Sequence, residues 1–416
     1  MSLAGPSLPS PYASNVAKSY LYRFLMDFQL WLPIWILYLR DDRGFSLTQI
    51  NLLDTPFFLL IVLAEVPTGA IADRFGRRTS LFLGASFFSV AVFVFGIADN
   101  FAIIMVSYVA WGLSITLQSG ADVALLYDSL KHDGREAEFQ RVNSRLWAVR
   151  ASASLLGILI GAPIAAAASF QTVIIGSSLI GALAIPVALW MREPSYRAST
   201  HEAYIDTLIT GLRDMWRAPA LRYIVMLSGV ISLGALAPHV FEQPFLDQHG
   251  VSVSSFGLWQ APIRAAGIAA ALGAGWWLSR LGERGAFLSL PLMTSAGCLL
   301  LAGIDRSWIF VAFIAMGIVH GMQNPLLASY VNHRIPSERR ATMLSVQSVA
   351  ASIALSAQPI GGLIADNYGL RAAFLMYGLL TLTAGLMLLR LWDRAERRDA
   401  AVSVRATPHA EPAAAS

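Results

Sequence analysis

The chain has 416 residues, of which 56% are hydrophobic and only 13% charged, with a mean hydropathy of +0.57. A soluble domain carries about 25% charged residues, so this composition excludes a water-soluble globule and predicts a surface that faces lipid. The net charge of +4 does not describe a nucleic-acid binder, because the basic residues gather at alternate ends of apolar segments rather than in a stripe among aromatics.

A spanning helix needs roughly 20 apolar residues. In chain order the apolar segments fall at 18–39, 49–71, 79–98, 101–126, 138–164, 170–191, 221–246, 254–278, 286–304, 308–330, 342–365 and 371–391. They are too long for the strands of a barrel, and lipid tolerates no other backbone than helices. The expectation is an all-α membrane protein with twelve transmembrane helices in two pseudo-symmetric six-helix bundles, residues 18–191 and 221–391. Residues 1–17 read as a cytoplasmic tail. The first segment is too long for a cleavable signal. Residues 192–220 read as a cytoplasmic linker, in which 201–217 mixes apolar and charged positions like an interfacial amphipathic helix. Residues 392–416 read as a second cytoplasmic tail, expected to be disordered.

Orientation follows from basic residues. The loops after even-numbered segments, with the C-terminal tail, hold 21 arginines and lysines, and the opposite loops hold four. Both termini are therefore expected on the cytoplasmic side of a multi-pass inner-membrane protein. The single cysteine, Cys298, excludes an intrachain disulfide, and the seven histidines lack paired metal spacing. No metal, cofactor or nucleic-acid partner is expected. The expected partners are a small-molecule substrate, protons and the bilayer, with the chain acting as a monomer.

After the second segment comes Gly69-Ala-Ile-Ala-Asp73-Arg74-Phe-Gly76-Arg77-Arg78, and a related run begins 206 positions later with Gly275, Arg280, Gly282 and Arg284. In the second run Ser279 replaces the carboxylate and Glu283 a basic residue. A glycine at a helix crossing lets another backbone approach, Gly76 suits a tight turn, and Asp73 can face a helix N-terminus. Arg77 has an obvious partner in Asp128. With the preceding Glu65-Val-Pro-Thr, this loop resembles the major facilitator superfamily over residues 18–391. The resemblance implies that the loop cluster is a cytoplasmic latch that stabilises the outward-facing state and breaks when that side opens. It implies too that the first, fourth, seventh and tenth helices line the pathway. The Gly361–Gly369 turn resembles a variant of the pattern on the opposite side, or is a simple helix stop.

Charges within spans are costly and mark function. Asp27, Glu65, Asp122 and Glu242 are the candidates for carrying a proton, with Asp27 first. Folding the fourth and fifth segments about Gly134 sets Asp122 level with Arg145. Arg150 and Arg264 lie at depths compatible with Asp27, and His239 can share a proton with Glu242. The candidate substrate cavity takes in Trp31, Trp35, Gln118, Arg145, Arg150, His239, Phe241, Arg264, His320, Gln323 and Asn324. Asp27, Trp31 and Trp35 are spaced by four and would share a helix face. The seventh segment, with Pro238 and Pro244, reads as kinked near its outer end.

No phosphate-binding loop, nucleophile–base cluster or metal-ligand spacing is present in the sequence, so the chain reads as a carrier and not an enzyme. The expected function is a proton-coupled antiporter that exports a small amphipathic compound by alternating access. A metabolite importer and an exporter of an anionic or lipid-like amphiphile are the alternatives, with a non-transporting receptor behind them. The fifth segment, Gly157 to Ala165, lacks the Gly-Pro step with paired glycines that drug antiporters of the family carry.

Overall fold

A computed structural model describes residues 12–194, 204–335 and 337–406. Every regular element among the described residues is helical. The helices are α1 (Ala13–Asp27), α2 (Trp35–Leu37), α3 (Leu47–Phe75), α4 (Arg77–Ile97), α5 (Phe101–Gln118), α6 (Ala121–His132), α7 (Phe139–Ala167), α8 (Phe170–Ala182) and α9 (Ala184–Trp190). After the linker come α10 (Tyr204–Arg217), α11 (Pro219–Leu236), α12 (Glu242–Gln248), α13 (Phe256–Gly303), α14 (Phe313–Arg334), α15 (Ser337–Leu355), α16 (Gln358–Tyr368) and α17 (Leu370–Ala406). Ten stretches among the described residues are long and apolar enough to cross a membrane. The protein is a multi-pass integral membrane protein.

The breaks between helices carry most of the information. The expected helix over 18–39 is not continuous: α1 stops at Asp27, residues 28–34 are non-helical, and a short α2 runs into a π-turn at Tyr38–Asp42. Pro33 accounts for this, since it lacks an N–H and pushes Leu32 out of the helical region. The fourth span divides between α5 and α6, where Gly120 has φ +76°. The seventh is interrupted by a 3-10 turn at Ala237–Phe241, in the region where its prolines predict a kink. One 51-residue apolar stretch, Val253–Gly303, folds back on itself at Gly282, where φ is +66°.

Within the first half α4 packs on α5 and α8, and within the second α13 packs on α14 and α17 and α11 on α15 and α17. The halves meet where α3 lies against α15 and α16, and where α7 lies against α13. The linker helix α10 docks on α15. A Cβ on its Gly211 would meet the side chains of Thr342 and Val346.

The expected disorder after residue 392 does not begin there, because α17 continues to Ala406. Trp392 and Ala395 are buried, and Trp392 packs against Phe287 and Tyr330. Arg397 bonds back to Asp393 at 2.9 Å, an i,i+4 pair that supports the helix. The remaining segments of the expected tails and linker, 1–11, 195–203 and 407–416, lie outside the described residues.

Candidate transport site

At the broken end of α1, the Asp27 carboxylate accepts a hydrogen bond from Arg150 Nε of α7 at 3.1 Å. Their side chains are 21% and 27% exposed, so this pair is reachable and not sealed in packing. Arg150 also lies over the Trp147 ring, 4.5 Å from its centroid.

One turn nearer the N-terminus, Arg23 reaches Asp122 of α6, with contacts of 2.5 and 2.7 Å, and donates to Gln118 Oε1 at 3.0 Å. All three are buried. The expected partner of Asp122, Arg145, is exposed instead, and Gln118 belongs to this packed cluster and not to a cavity lining. Asp122 opens α6, where a carboxylate is favoured, and α1 brings Arg23 to it.

In the second half a charged row runs from α13 to α12. Arg264 is in hydrogen-bond contact with His239 Nε2, and His239 Nδ1 lies 2.6 Å from Glu242 Oε1. Because a guanidinium can only donate, Nε2 must accept, which leaves the proton on Nδ1 to be donated to Glu242. Glu242 is buried, and among the described residues its second oxygen, Oε2, has no hydrogen-bond partner. His320 of α14 is near enough to feel both Arg264 and His239. Among the described residues Arg264 has no carboxylate of its own.

Several expected cavity residues are packed elsewhere. Trp31 is 2% exposed and sits among Trp35, Phe95 and Trp111, so the helix break removes it from any face shared with Asp27. Trp35 is also buried, stacking on Tyr108. Phe241 is buried against Phe374 and Tyr377. Gln323 is buried and donates within its own half, to Ser228 and Ser232. Asn324 and His320 are exposed, with Asn324 accepting from Gln347.

The non-helical stretch of residues 28–34 has polar backbone groups that a membrane interior cannot leave unpaired. The other half supplies partners for two of its carbonyls and for N–H groups of α2. Gln243 of α12 accepts from Ile36 N at 2.9 Å and from Leu37 N at 3.3 Å, and donates to Leu32 O at 3.0 Å. Gln260 of α13 donates to Pro33 O at 3.1 Å. Nearby, Arg40 pairs with Asp247 at 2.5 Å. The Asp366 carboxylate caps α3 by accepting from Leu47 N and Thr48 N at 2.9 and 2.8 Å. These contacts gather at the arginine-poor end and hold the two halves together there.

At the arginine-rich end, Arg77 is paired with Asp128 and donates to Ala124 O at 2.8 Å. Glu193, just beyond α9, accepts from Arg77 N and Arg78 N at 2.9 and 2.7 Å and so caps α4. Asp73 is partly buried, Arg74 and Glu65 are exposed, and a Cβ on Gly69 or Gly275 would meet nothing within 4 Å. In the second half Arg334 holds Glu283 at 2.7 Å and Glu396 at 3.1 Å, and Arg284 holds Asp393 at 2.6 Å. Arg280 lies over Trp276.

The profile of the Major Facilitator Superfamily matches residues 20–359 and 244–414. The chain belongs to the major facilitator superfamily. It is 25% identical over 367 residues to an uncharacterised transporter of the superfamily, YxaM of Bacillus subtilis, covering 83% of this chain and 87% of that one. Over a shorter stretch of 108 residues it is 27% identical to the quinolone resistance protein NorA of Staphylococcus aureus, covering 26% and 28%. A mutant of the nucleoside transporter NupG superposes with a TM-score of 0.79 at 11% identity, covering 90% of this chain and 99% of that one. This major facilitator protein is a secondary active transporter of small molecules and not an enzyme.

Polar residues at these contacts that were not singled out by the sequence include Arg23, Glu193 and Gln260. Arg23 was legible in principle as a charge inside an apolar segment. Glu193 and Gln260 carry no local signal, because each acts on backbone far away in the chain.

Proposed function

We propose that this transporter is a proton-coupled antiporter that exports a small amphipathic compound by alternating access, with Asp27 as its proton carrier. The observation that carries this reading is the Asp27–Arg150 pair: a carboxylate in mid-membrane, at a helix break, still partly exposed. Its counterion sits on a different helix, so relative helix motion can withdraw it, and the carboxylate then gains a proton. The broken first helix and the division of the long stretch at Gly282 support a reading of twelve crossings in two six-helix bundles. The arginine-rich end faces the cytoplasm of a bacterial inner membrane. In this state the halves are sealed at the outer end. The Asp73–Arg77–Asp128 cluster is the latch that stabilises the outward-facing state and breaks when the cytoplasmic end opens. Export draws its support from the short resemblance to a quinolone resistance protein, since a transporter confers resistance by removing the compound.

A second reading is favoured by the Arg264–His239–Glu242 row. Arg264, with His320 beside it and no carboxylate of its own among the described residues, suits a substrate with anionic or electron-rich groups. Glu242, through His239, then tunes that positive charge.

The test is transport in proteoliposomes against an imposed pH gradient. Uphill efflux driven by inward proton flow is expected for the native chain. D27N is expected to lose it while retaining downhill exchange. Unaltered proton coupling in D27N removes the assigned role, and uptake with inward proton flow reverses the direction.

A further inference from the structure

Asp54 lies on α3, two turns into the helix from the arginine-poor end, and is 7% exposed. Its one side-chain partner is the Tyr108 hydroxyl of α5, which donates to Oδ1 at 2.7 Å. No basic side chain among the described residues pairs with it. The titratable groups that face it are Tyr108 and, from α17, Tyr377. From α15 and α16 the neighbours are neutral: Thr55 donates to Ser356 O at 3.0 Å, and Tyr377 points at Gln358 O. The charged residue of α16, Asp366, is engaged on the first turn of α3. One turn from Asp54, Asn51 is fully buried, and among the described residues its Oδ1 has no donor.

An ionised carboxylate with one neutral donor is poorly housed in such a place, whereas a carboxylic acid is not. An acid hydroxyl also matches a neighbourhood that holds a spare buried acceptor. Asp54 adjoins the seam: its neighbour Thr55 bonds Ser356, between α15 and α16, and α3 meets both of those helices of the other half. When the seam parts, water reaches Asp54 and the charged form becomes affordable.

We propose that Asp54 is a proton-binding site, filled from the arginine-poor side, whose occupancy closes the seam between α3 and α15–α16. The proposal rests on the alternating-access reading but not on proton exchange at Asp27. Acid on that side holds the two halves shut, and loss of the proton releases them. Tyr108 sets the pH at which this happens, because its hydroxyl supports the charged form.

The experiment uses the full chain in lipid nanodiscs, with spin labels at Asp42→Cys and Asn367→Cys and Cys298 replaced by Ala. Pulsed dipolar distances are recorded across pH. The parent is expected to give one short distance in acid and a growing longer population as pH rises. D54N is expected to stay short throughout, losing the pH-dependent population, and D99N, at an exposed carboxylate of the same end, to keep it. Y108F is expected to move the transition to higher pH, which keeps the proposal testable should D54N not assemble. A transition in D54N with the parent's midpoint overturns the proposal while leaving alternating access intact. So does a transition abolished by D99N alone. A seam that stays short at every pH in the parent overturns alternating access, and this proposal with it.

Discussion

Glu283 bridges Arg334 at the positions 206 residues beyond Arg77 and Asp128, and the charges are reversed. The turn glycines correspond as well: Gly76 and Gly282 both hold positive φ, +95° and +66°. The apparent loss of the basic residue at 283 is therefore a conserved geometry with exchanged signs. The same electrostatic tie joins the same pair of places in each half.

This makes the two ties separable by charge. R77E sets two carboxylates together, and R77E/D128R should restore the pairing that R77E breaks. The second-half tie is about one-third exposed and should be worth little, roughly 0.2–1 kcal/mol. The Arg77 tie is more enclosed, so R77E should lower thermal stability in detergent more than E283R does. Equal losses from both, or no rescue by the double exchange, would leave the ties as incidental surface pairs.

The Arg23–Asp122 pair should behave quite differently, since both side chains are buried. Removing one partner of a buried pair leaves a charge uncompensated, at a cost of about 3–5 kcal/mol. D122N and R23Q should each markedly lower the unfolding temperature. R23M/D122L, which removes both charges, should recover most of that loss. A D122N protein as stable as the native chain would mean that water already reaches the pair.

The helical class, most of the membrane-length stretches and the turn glycines were legible, because hydropathy and turn glycines act locally. The pairing of Arg77 with Asp128 was legible too, from motif and depth. The break at residues 28–34 was not read, although Pro33 announces it, and this one omission misplaced Trp31 and Trp35 together. The partner of Asp122 was assigned within a hairpin, whereas the fold brings Arg23 from α1. Sequence adjacency favours hairpin partners, but helix packing between distant segments decides the contact. The role of Gln243, inside a segment read only as kinked, was not legible, since nothing local says that an amide will serve the backbone of another helix.

Gly161 and Gly157 in α7 are read as a close crossing against the unwound strand of the first span. A Cβ at Gly161 would overlap Leu30 O, and one at Gly157 would stand 2.9 Å from Gln29 N and O. Backbone cannot step aside as a side chain can, so G161A should cost about 1–3 kcal/mol or more by overpacking. G157A should cost less. The control is Gly176, where a Cβ would meet nothing within 4 Å, so G176A should be neutral. Thermal unfolding of the three variants orders them, and a G161A as stable as G176A would show that the break in the first span moves freely.

Gln243 provides the sharpest test of how the seal at the arginine-poor end is built. Its amide serves two backbone N–H groups and one carbonyl across the two halves. Leucine has a similar volume but no polar atoms, so Q243L leaves those groups without partners only while the halves are closed. Opening the seam lets water reach them, and the equilibrium should shift toward opening. A net loss of about 1.4 kcal/mol, within the range for one buried group left unsatisfied, corresponds to roughly tenfold. The measurement is the labelling rate of Thr55→Cys, which faces Ser356 across the seam, by a membrane-impermeant maleimide. Q243L should raise that rate, and Q243E should raise it too, because a carboxylate cannot donate to Leu32 O. Unchanged rates in both would mean that Asp366 and the Arg40–Asp247 pair hold the seam without help from the broken helix.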